Sequence, residues 1–356
     1  MQATSQSKSL LQSAVAAVFD ADSANFWLQK INPVWSINQA LGKIVDKTIS
    51  AHEMVSLKIR VNKHFSFGEA GQHHPVVITV NGRCYERTYS LTLLDSEHVL
   101  LTVKKVDQGI VSTWLNEVAQ VGDIIEFGQP YGDMTISATD APLILLAAGS
   151  GITPMYSLLK VMLSQSNQSK QDIYLMYWAK TESDLAFHSE FTALAEQYKN
   201  FRFEYYTTQS ANADARLNID HFAQIKHLNL ATVYACGPAG FVATAEQLSQ
   251  NKVQLFKGEA FSLSPLVSDE IGFVQITLTQ SNKVVTIPKG QSILASLEQQ
   301  NIKPTYGCRM GICNKCACNK SEGSTKNMVN GLENSEPGNL LKICVNSAQS
   351  DLTIDL

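Results

Sequence analysis

The residues most suited to chemistry are cysteines near the carboxyl end of the chain. Cys308, Cys313 and Cys316 follow the spacing C-x4-C-x2-C, and Cys344 lies further along. This spacing is typical of plant-type [2Fe–2S] clusters, because three thiolates from one irregular loop converge on a compact cluster and a distant fourth completes the set. The pattern therefore predicts a [2Fe–2S] cluster held by these four cysteines.

Two alternatives remain at this site. A structural zinc ion usually takes paired C-x2-C knuckles, and this region has only one, so the pattern favours iron and sulfur. Cys318 competes with Cys316 as the third ligand, and the C-x4-C-x2-C register favours Cys316. The chain has seven cysteines in all, most of them near this end. An odd number clustered in this way indicates metal ligation over disulfides.

A second group of residues suits a flavin nucleotide. Arg87, Thr88, Tyr89 and Ser90 lie in a predicted strand, where alternation turns Arg87 and Tyr89 to one face. A cation can bind the phosphate and a flat ring can cover the isoalloxazine, although such a pair is more often an ordinary surface feature. Further on, a loop enters a short predicted helix whose first amide groups suit a second phosphate. The candidates in this loop are Gly109, Val111 and Ser112.

A glycine-rich turn predicts the site for a nicotinamide nucleotide. An apolar strand over 143–148 ends in the pattern G-x-G-x-x-P, whose glycines allow close approach of the backbone to a pyrophosphate. Thr153 can cap the following helix and Pro154 fits its first position, so the N-terminus of that helix faces the anion. The residues of the turn are Gly149, Ser150, Gly151, Thr153 and Pro154.

A second strand ends at Cys236 and Gly237, at the same edge of the predicted sheet. Open α/β sheets bind their ligands at this carboxyl edge. Cys236 is therefore either a residue of the site or a buried core cysteine, which is the commoner fate of a lone cysteine.

The periodicity of the apolar residues divides the chain into domains. Short alternating runs separated by Gly, Asn and Asp over 41–137 predict an antiparallel β-barrel. Apolar strands that alternate with helical stretches over 138–262 predict βαβ units and a parallel sheet. We expect a linker at 263–272, and a hairpin and a helix before the cysteine loop within 273–356. The fold class is therefore multidomain.

Residues 1–40 predict a helical extension that ends at Asn32-Pro33. We expect it to pack on the following domain. A role in docking a partner or a membrane surface is disfavoured, because its polar face is poor in Lys and Arg. Asp20 and Asp22, and the lack of a small-residue cleavage site, argue against a signal peptide and favour the cytoplasm. The apolar residues at helical spacing are Leu10, Leu11, Ala14, Val15, Val18 and Phe19.

Composition limits the function classes. The 356 residues carry a net charge of −4, with 44% hydrophobic and 17% charged residues. These values predict a soluble globular protein with neither nucleic-acid binding nor a strong general attraction to membranes. No apolar run approaches the roughly 20 residues that cross a bilayer, so we expect no transmembrane segment.

Together and in this order, the motifs resemble the ferredoxin–NADP reductase superfamily, and more narrowly its bacterial members with a fused C-terminal ferredoxin domain. The resemblance covers about residues 41–356. It implies a FAD-binding barrel, an NAD(P)-binding α/β domain and a β-grasp (α+β) ferredoxin domain. The implied enzyme is an oxidoreductase that passes electrons from NAD(P)H via FAD and the [2Fe–2S] cluster to a protein acceptor.

The resemblance bears on the acceptor as well. Residues 32–36 and the helical extension before them are similar to the reductase partners of membrane fatty-acid (acyl-CoA) desaturases. The alternatives are a reductase component for a ring-hydroxylating oxygenase or a hybrid-cluster protein, and a redox-sensing electron-transfer subunit.

Single residues receive roles from the same resemblance. Arg87 would bind a flavin phosphate, Tyr89 would stack on the isoalloxazine and Ser90 would bond near its reactive edge. The segment 109–112 would hold the pyrophosphate, which favours FAD over FMN, and Cys236 would lie near the nicotinamide. The implied catalytic residues are Tyr89, Ser90 and Cys236.

Charged residues bear on the choice of nucleotide and acceptor. Relatives specific for NADP often carry a basic residue where this chain has Gln209, so NADPH and NADH both stay open. Lys180 and Arg216, near two strand ends, are candidates for contact with a 2′-phosphate. In the cysteine loop, Arg309 and Lys315 predict a basic rim for an acidic acceptor.

Overall fold

The computed structural model describes residues 21–80, 82–107, 109–136, 140–164, 171–209, 215–262, 272–311, 313–329 and 331–356. Within these ranges the chain forms a closed barrel, a parallel sheet flanked by helices and a mixed sheet with one helix, in that order. The multidomain fold class is confirmed. Helix α1 (Ala21–Ile31) precedes the barrel and ends at the predicted break before Asn32. The apolar residues from Leu10 to Phe19 lie outside the described residues.

Six antiparallel strands close the barrel because their apolar residues alternate between its interior and its surface. In the fifth strand, for example, Val99, Leu101 and Val103 all lie in the barrel core. A one-turn helix, α2 (Ile110–Thr113), continues into a π-helical turn and lies beside the fourth strand. The strands are β1 (Ala40–Ala51), β2 (Met54–Val61), β3 (His73–Val80), β4 (Arg83–Leu93), β5 (His98–Lys104) and β6 (Ile124–Phe127).

The second domain is a five-stranded parallel sheet whose central strands are apolar on both faces. Every residue of its first two strands is buried, as expected where helices cover both sides. Its strands are β7 (Leu143–Ala148), β8 (Ile173–Ala179), β9 (Phe201–Thr207), β10 (Thr232–Pro238) and β11 (Leu255–Ser262), in the order β11-β10-β7-β8-β9. Its helices are α3 (Ile152–Ser164), α4 (His188–Gln197) and α5 (Ala239–Ser249).

Strand β11 was not predicted. It pairs with β10 in parallel and carries Lys257, Gly258 and Glu259 in its middle. A polar, glycine-containing run of this kind does not look like a strand of a parallel sheet. The run can still form strand β11 because β11 lies at the edge of the sheet, with a neighbouring strand on one side only.

The third domain is the β-grasp fold: helix α6 (Ile293–Gln299) packs on a mixed five-stranded sheet. Ser292 caps this helix by accepting a hydrogen bond from the Ala295 amide at 3.3 Å. The strands are β12 (Phe273–Leu278), β13 (Lys283–Pro288), β14 (Ala317–Glu322), β15 (Thr325–Asn327), β16 (Glu333–Asn334), β17 (Asn339–Lys342), β18 (Asn346–Ala348) and β19 (Leu352–Ile354). The five-stranded sheet has the order β13-β12-β19-β14-β17, and the other three strands form a separate sheet in the order β16-β15-β18. In the part of the chain that the structure describes, no helix is both long and apolar enough to cross a membrane.

Strand β4 of the barrel is contacted by both of the other domains. Helix α3 of the parallel sheet packs against it. From the third domain, Lys315 in the cysteine loop forms an ion pair with Glu86 of β4. The barrel strand that carries the flavin candidates therefore contacts the cysteine loop and also the helix that follows the glycine-rich turn.

Candidate functional site

The four predicted cysteine ligands lie in two close pairs. The amides of Cys308 and Cys313 each donate to the other's sulfur at 3.2 Å. Cys316 and Cys344 lie close enough for each thiol to shift the pKa of the other. Among the described residues, no group of three His, Cys, Asp or Glu side chains could hold a single metal ion. Two thiol pairs suit two irons, each taking two cysteines, better than one zinc ion taking four.

Each pair contains one thiol whose pKa is lowered. The Cys308 thiol donates to Cys313 and lowers the pKa of Cys313 to about 5. The Cys344 thiol does the same for Cys316, whose pKa is lowered to about 7. The pKa values of the two donors, Cys308 and Cys344, are raised in consequence. Iron binds thiolates, so the lowered pKa values favour the ligating form of Cys313 and Cys316.

The backbone of the loop depends on glycine. A Cβ on Gly307 would lie 2.9 Å from the Cys313 sulfur, and Gly311 has a φ of +74° with Val345 equally close. Cys318 does not join the group. Its thiol lies 3.8 Å from the Leu341 carbonyl oxygen, and burial raises its pKa to about 12.

The flavin candidates occupy the middle of β4. Tyr89 packs against the barrel core, and the Thr88 hydroxyl is 2.7 Å from the Tyr131 hydroxyl. The Arg87 guanidinium donates to the Glu86 carbonyl oxygen at 2.7 Å and lies 5.5 Å from the Tyr306 ring centroid. No carboxylate of the described residues forms an ion pair with Arg87, so its charge is available to a phosphate.

The Ser112 hydroxyl forms its hydrogen bonds with the loop before α2. The Ser112 hydroxyl accepts a hydrogen bond from the Val106 amide at 3.1 Å and donates to the Gly109 carbonyl at 3.3 Å. Val111 is buried. The serine therefore shapes the loop, and the groups that the loop can offer a phosphate are backbone amides.

The nucleotide candidates surround a cavity of about 710 Å³ at the carboxyl edge of the parallel sheet. Four of them line it: Gly149, Ser150, Lys180 and Arg216. Three others lie beneath the turn. Thr153 donates to the Ser150 carbonyl at 3.1 Å, and Pro154 is buried in the first turn of α3. A Cβ on Gly151 would come within 2.0 Å of the Cys236 carbonyl oxygen, so this glycine permits the turn to touch β10.

Two residues that sequence reasoning missed connect the barrel to the sheet. His73 is the cross-strand partner of Ser90, and Glu259 is the partner of Cys236. His73 Nε2 and Glu259 Oε1 are 3.3 Å apart, and His73 is buried. The signals were weak, since Glu259 lies in the unpredicted strand and His73 is one of two adjacent histidines that precede an apolar run.

This junction contains buried polar atoms without partners. The Ser90 hydroxyl and Glu259 Oε2 make no hydrogen bond within the described residues. Leaving such an atom unsatisfied costs roughly 1–3 kcal/mol, so the arrangement fits a bound group that supplies the missing partners. Cys236 is fully buried beside them, and burial raises the pKa of its thiol, which therefore stays protonated.

The predicted basic rim of the cysteine loop is wrong. Lys315 pairs with Glu86 of the barrel, and Arg309 pairs with Glu298 and lies 4.0 Å from the Tyr306 ring centroid. Both cations are used within the chain. Lys315 finds its acid on another domain and Arg309 finds its acid on helix α6 of its own domain, and spacing along the sequence reveals neither contact.

Three family models match the chain in the order in which the domains fold. They are the oxidoreductase FAD-binding domain at residues 42–136, the oxidoreductase NAD-binding domain at 145–247 and the 2Fe-2S iron-sulfur cluster binding domain at 276–346. Fold and matches together define an electron-transfer oxidoreductase that uses NAD(P)H, FAD and a [2Fe–2S] cluster. The chain is an oxidoreductase of the ferredoxin reductase type, with a FAD-binding domain, a NAD-binding domain and a C-terminal [2Fe–2S] domain in that order.

Similar proteins extend over most of the chain. An NADPH oxidoreductase of Mycobacterium tuberculosis is 29% identical over 93% of this chain and 88% of its own length. The glycine betaine monooxygenase reductase subunit of Chromohalobacter salexigens is 21% identical over 81% of this chain and 87% of its own. The solved structure of phthalate dioxygenase reductase shares the fold, with a TM-score of 0.63 and 23% identity over 89% of this chain and 98% of that one.

Proposed function

We propose that this reductase delivers its electrons to an oxygenase or a fatty-acid desaturase, and that β4 serves both internal transfers. The observation that carries the proposal is the position of β4, against which helix α3 packs and which the cysteine loop contacts at Glu86. A flavin held on this strand would lie near helix α3, which begins at the nucleotide turn, and near the cysteine loop.

The proposed contacts follow from this arrangement. Arg87 binds a flavin phosphate, Tyr89 covers the isoalloxazine, and Ser90 offers its unpartnered hydroxyl to the flavin edge. The backbone of 109–112 holds the pyrophosphate. For the nicotinamide nucleotide we propose Gly149, Ser150, Gly151, Lys180, Arg216, Cys236 and Gly237, and for the cluster Cys308, Cys313, Cys316 and Cys344.

The protein's own task is positioning. The flavin, when bound, supplies the conversion of a hydride into single electrons. Gly151 lets the nucleotide turn approach β10, and His73 of the barrel lies 3.3 Å from Glu259 of the sheet. Because the junction is buried, it also keeps water from the transfer.

Thr88 and Tyr131 lie between the flavin candidates of β4 and the Cys308–Cys313 side of the cysteine loop. Thr88 lies next to Tyr89 and its hydroxyl is 2.7 Å from that of Tyr131. Burial raises the pKa of Tyr131, and the nearby thiols of Cys308 and Cys313 add to the rise. We propose this side as the entry for electrons, which leaves the Cys316 and Cys344 side for their exit.

The proposed class of electron acceptor is supported by the names of related proteins and by the resemblance of one segment to known reductases. One relative is named as the ferredoxin reductase component of 3-ketosteroid-9-alpha-monooxygenase, and another serves glycine betaine monooxygenase. The segment 32–36 resembles reductase partners of desaturases, and the proposed setting is the cytoplasm. Reconstituting this chain and NADPH with an oxygenase component or with a desaturase, and measuring product, distinguishes the two acceptors.

Reversing the charge of Lys315 tests the internal order of transfer. Lys315→Glu places a third acid beside Glu86 and Glu126, so the loop should be pushed from the barrel. We expect reduction of the cluster to slow about fivefold at low salt, while NADPH-dependent ferricyanide reduction at the flavin stays unchanged. Rapid mixing with NADPH, followed at cluster wavelengths, measures the rate.

The control for this experiment is Lys303→Glu, an exposed charge elsewhere on the same domain. The double variant Glu86→Lys/Lys315→Glu should recover part of the lost rate because it restores an ion pair. Slowing that is equal in Lys303→Glu, or that the double variant does not relieve, would contradict the proposed docking.

Lys180→Ala and Arg216→Ala should separate the two nucleotides. Both cations line the nucleotide cavity, and neither forms an ion pair within the described residues. A 2′-phosphate contact is a charge-assisted bond, so its loss should raise the KM for NADPH about tenfold and leave the KM for NADH unchanged. Equal effects on both nucleotides in steady-state assays would remove these residues from the 2′-phosphate site.

A further inference from the structure

The segment before the barrel displays large apolar side chains to solvent. This segment, residues 21–39, comprises α1 and the turn that leads into β1, and we call it the collar. Exposure reaches 54% at Phe26, 69% at Trp27 and 74% at Ile31, while Trp35 and Ile37 are half exposed. Single exposed apolar residues need no explanation, but a group containing two tryptophans and a phenylalanine marks an interaction surface.

The collar holds this surface rigidly. Asn25 is buried, and its side-chain oxygen accepts hydrogen bonds from the Ser36 hydroxyl at 3.0 Å and the Ile37 amide at 2.8 Å. The Asn62 side chain donates to the carbonyls of Val34 and Gln39, both at 3.0 Å. The aromatic residues are therefore presented by a built structure that is bonded to the barrel.

Cations of the barrel border the same surface. A cavity of about 860 Å³ between the collar and the barrel is lined by Trp35, Lys43, Lys63 and His64. Lys30 projects from α1 itself, 5.2 Å from the Phe26 ring centroid. Within the described residues, Lys30, Lys43 and Lys63 form no ion pair with a carboxylate.

We propose that the collar docks on an anionic lipid bilayer. Tryptophan and phenylalanine insert at the boundary between headgroups and acyl chains, and lysines beside them are attracted to anionic headgroups. Protein interfaces are depleted in lysine, so the combination of exposed aromatics with unpaired lysines favours a lipid surface over a protein partner. The dominant cations belong to the barrel and not to the helix, which is why the helix sequence alone looked too poor in positive charge.

This inference is independent of the acceptor. Docking by the collar would hold the reductase at a membrane surface without any transmembrane helix. An acceptor in that membrane would be reached by diffusion in two dimensions, but the collar would bind lipid equally if the acceptor were a water-soluble oxygenase.

Vesicle binding tests the proposal. The full-length protein is mixed with vesicles of phosphatidylcholine alone or of phosphatidylcholine with phosphatidylglycerol, and the bound fraction is measured by sedimentation. We expect binding to the anionic vesicles that weakens with salt. Trp27→Ala/Ile31→Ala and Lys43→Glu/Lys63→Glu should each reduce the partition coefficient about tenfold or more. NADPH-dependent ferricyanide reduction should not change.

The matched control is Ile49→Ala, which removes an exposed apolar side chain, 85% accessible, from the barrel surface. It should bind vesicles as the wild type does. No binding by the wild type, or equal loss in the control, would overturn the proposal.

Two further outcomes would also overturn it, because each assigns the surface to another occupant. One is a dimer, seen by light scattering, that dissociates in Trp27→Ala/Ile31→Ala. The other is shielding of Trp27 from acrylamide in the absence of lipid, measured as the difference in quenching between the wild type and Trp27→Ala. Such shielding in a monomer would mean that residues 1–20 cover the collar.

Discussion

Cys344→Ser is expected to separate the two outputs of this enzyme. NADPH-dependent reduction of ferricyanide, which the flavin alone can support, should remain near the wild-type rate. Reduction of cytochrome c should fall by at least the roughly 100-fold that changes in the surroundings of a metal ligand can reach. The physical reason is that Cys344 is the distant member of one of the two thiol pairs, so its loss leaves Cys316 without its partner. Both rates are measured by absorbance with the same protein sample.

The matched control is Cys318→Ser, two residues from the proposed ligand Cys316. Cys318 lies near the Leu341 carbonyl and outside the two thiol pairs. It should keep two irons per chain and the full rate of cytochrome c reduction. If Cys318→Ser loses iron while Cys316→Ser retains it, the ligand assignment argued here is wrong.

Arg87→Ala is expected to release FAD. A charge-assisted phosphate contact contributes about 1.5–3 kcal/mol, which corresponds to roughly a 10- to 100-fold increase in the dissociation constant for FAD. Arg87 is half-buried on β4 and forms no ion pair within the described residues, so no other role of the guanidinium predicts such a loss. Flavin released on dilution is measured by its fluorescence.

Arg83→Ala provides the comparison for this variant. Arg83 lies on the same strand and, four residues away, on the same face, but it is exposed and remote from the flavin candidates. It should retain FAD like the wild type. Equal retention of FAD in Arg87→Ala and Arg83→Ala would remove Arg87 from the flavin site.

Most of the fold was predicted from patterns formed by residues close together in the sequence. The C-x4-C-x2-C spacing, the strand over Leu143–Ala148 and the turn that follows it depend on neighbouring residues, so the sequence shows them directly. The apolar run likewise predicted β2 to its observed limits, Met54–Val61.

The contacts between domains could not be predicted from the sequence. His73 and Glu259 meet across the junction, as do Lys315 and Glu86, and nothing in their local surroundings marks either pair. The predicted basic rim failed partly for this reason, since Lys315 pairs with the barrel, and partly because Arg309 pairs with Glu298 on helix α6 of its own domain. The cations beside the collar were missed because Lys43 and Lys63 reach its cavity from the barrel.

The most direct test of the account is rapid mixing of the full-length protein with NADPH in the absence of oxygen. Flavin absorbance should bleach first, and the spectrum of the reduced cluster should appear afterwards, at a rate that Lys315→Glu slows and Lys303→Glu does not. Protein freed of FAD should show no reduction of the cluster by NADPH. If the cluster is reduced before the flavin, or without any flavin, the order of carriers proposed here is contradicted.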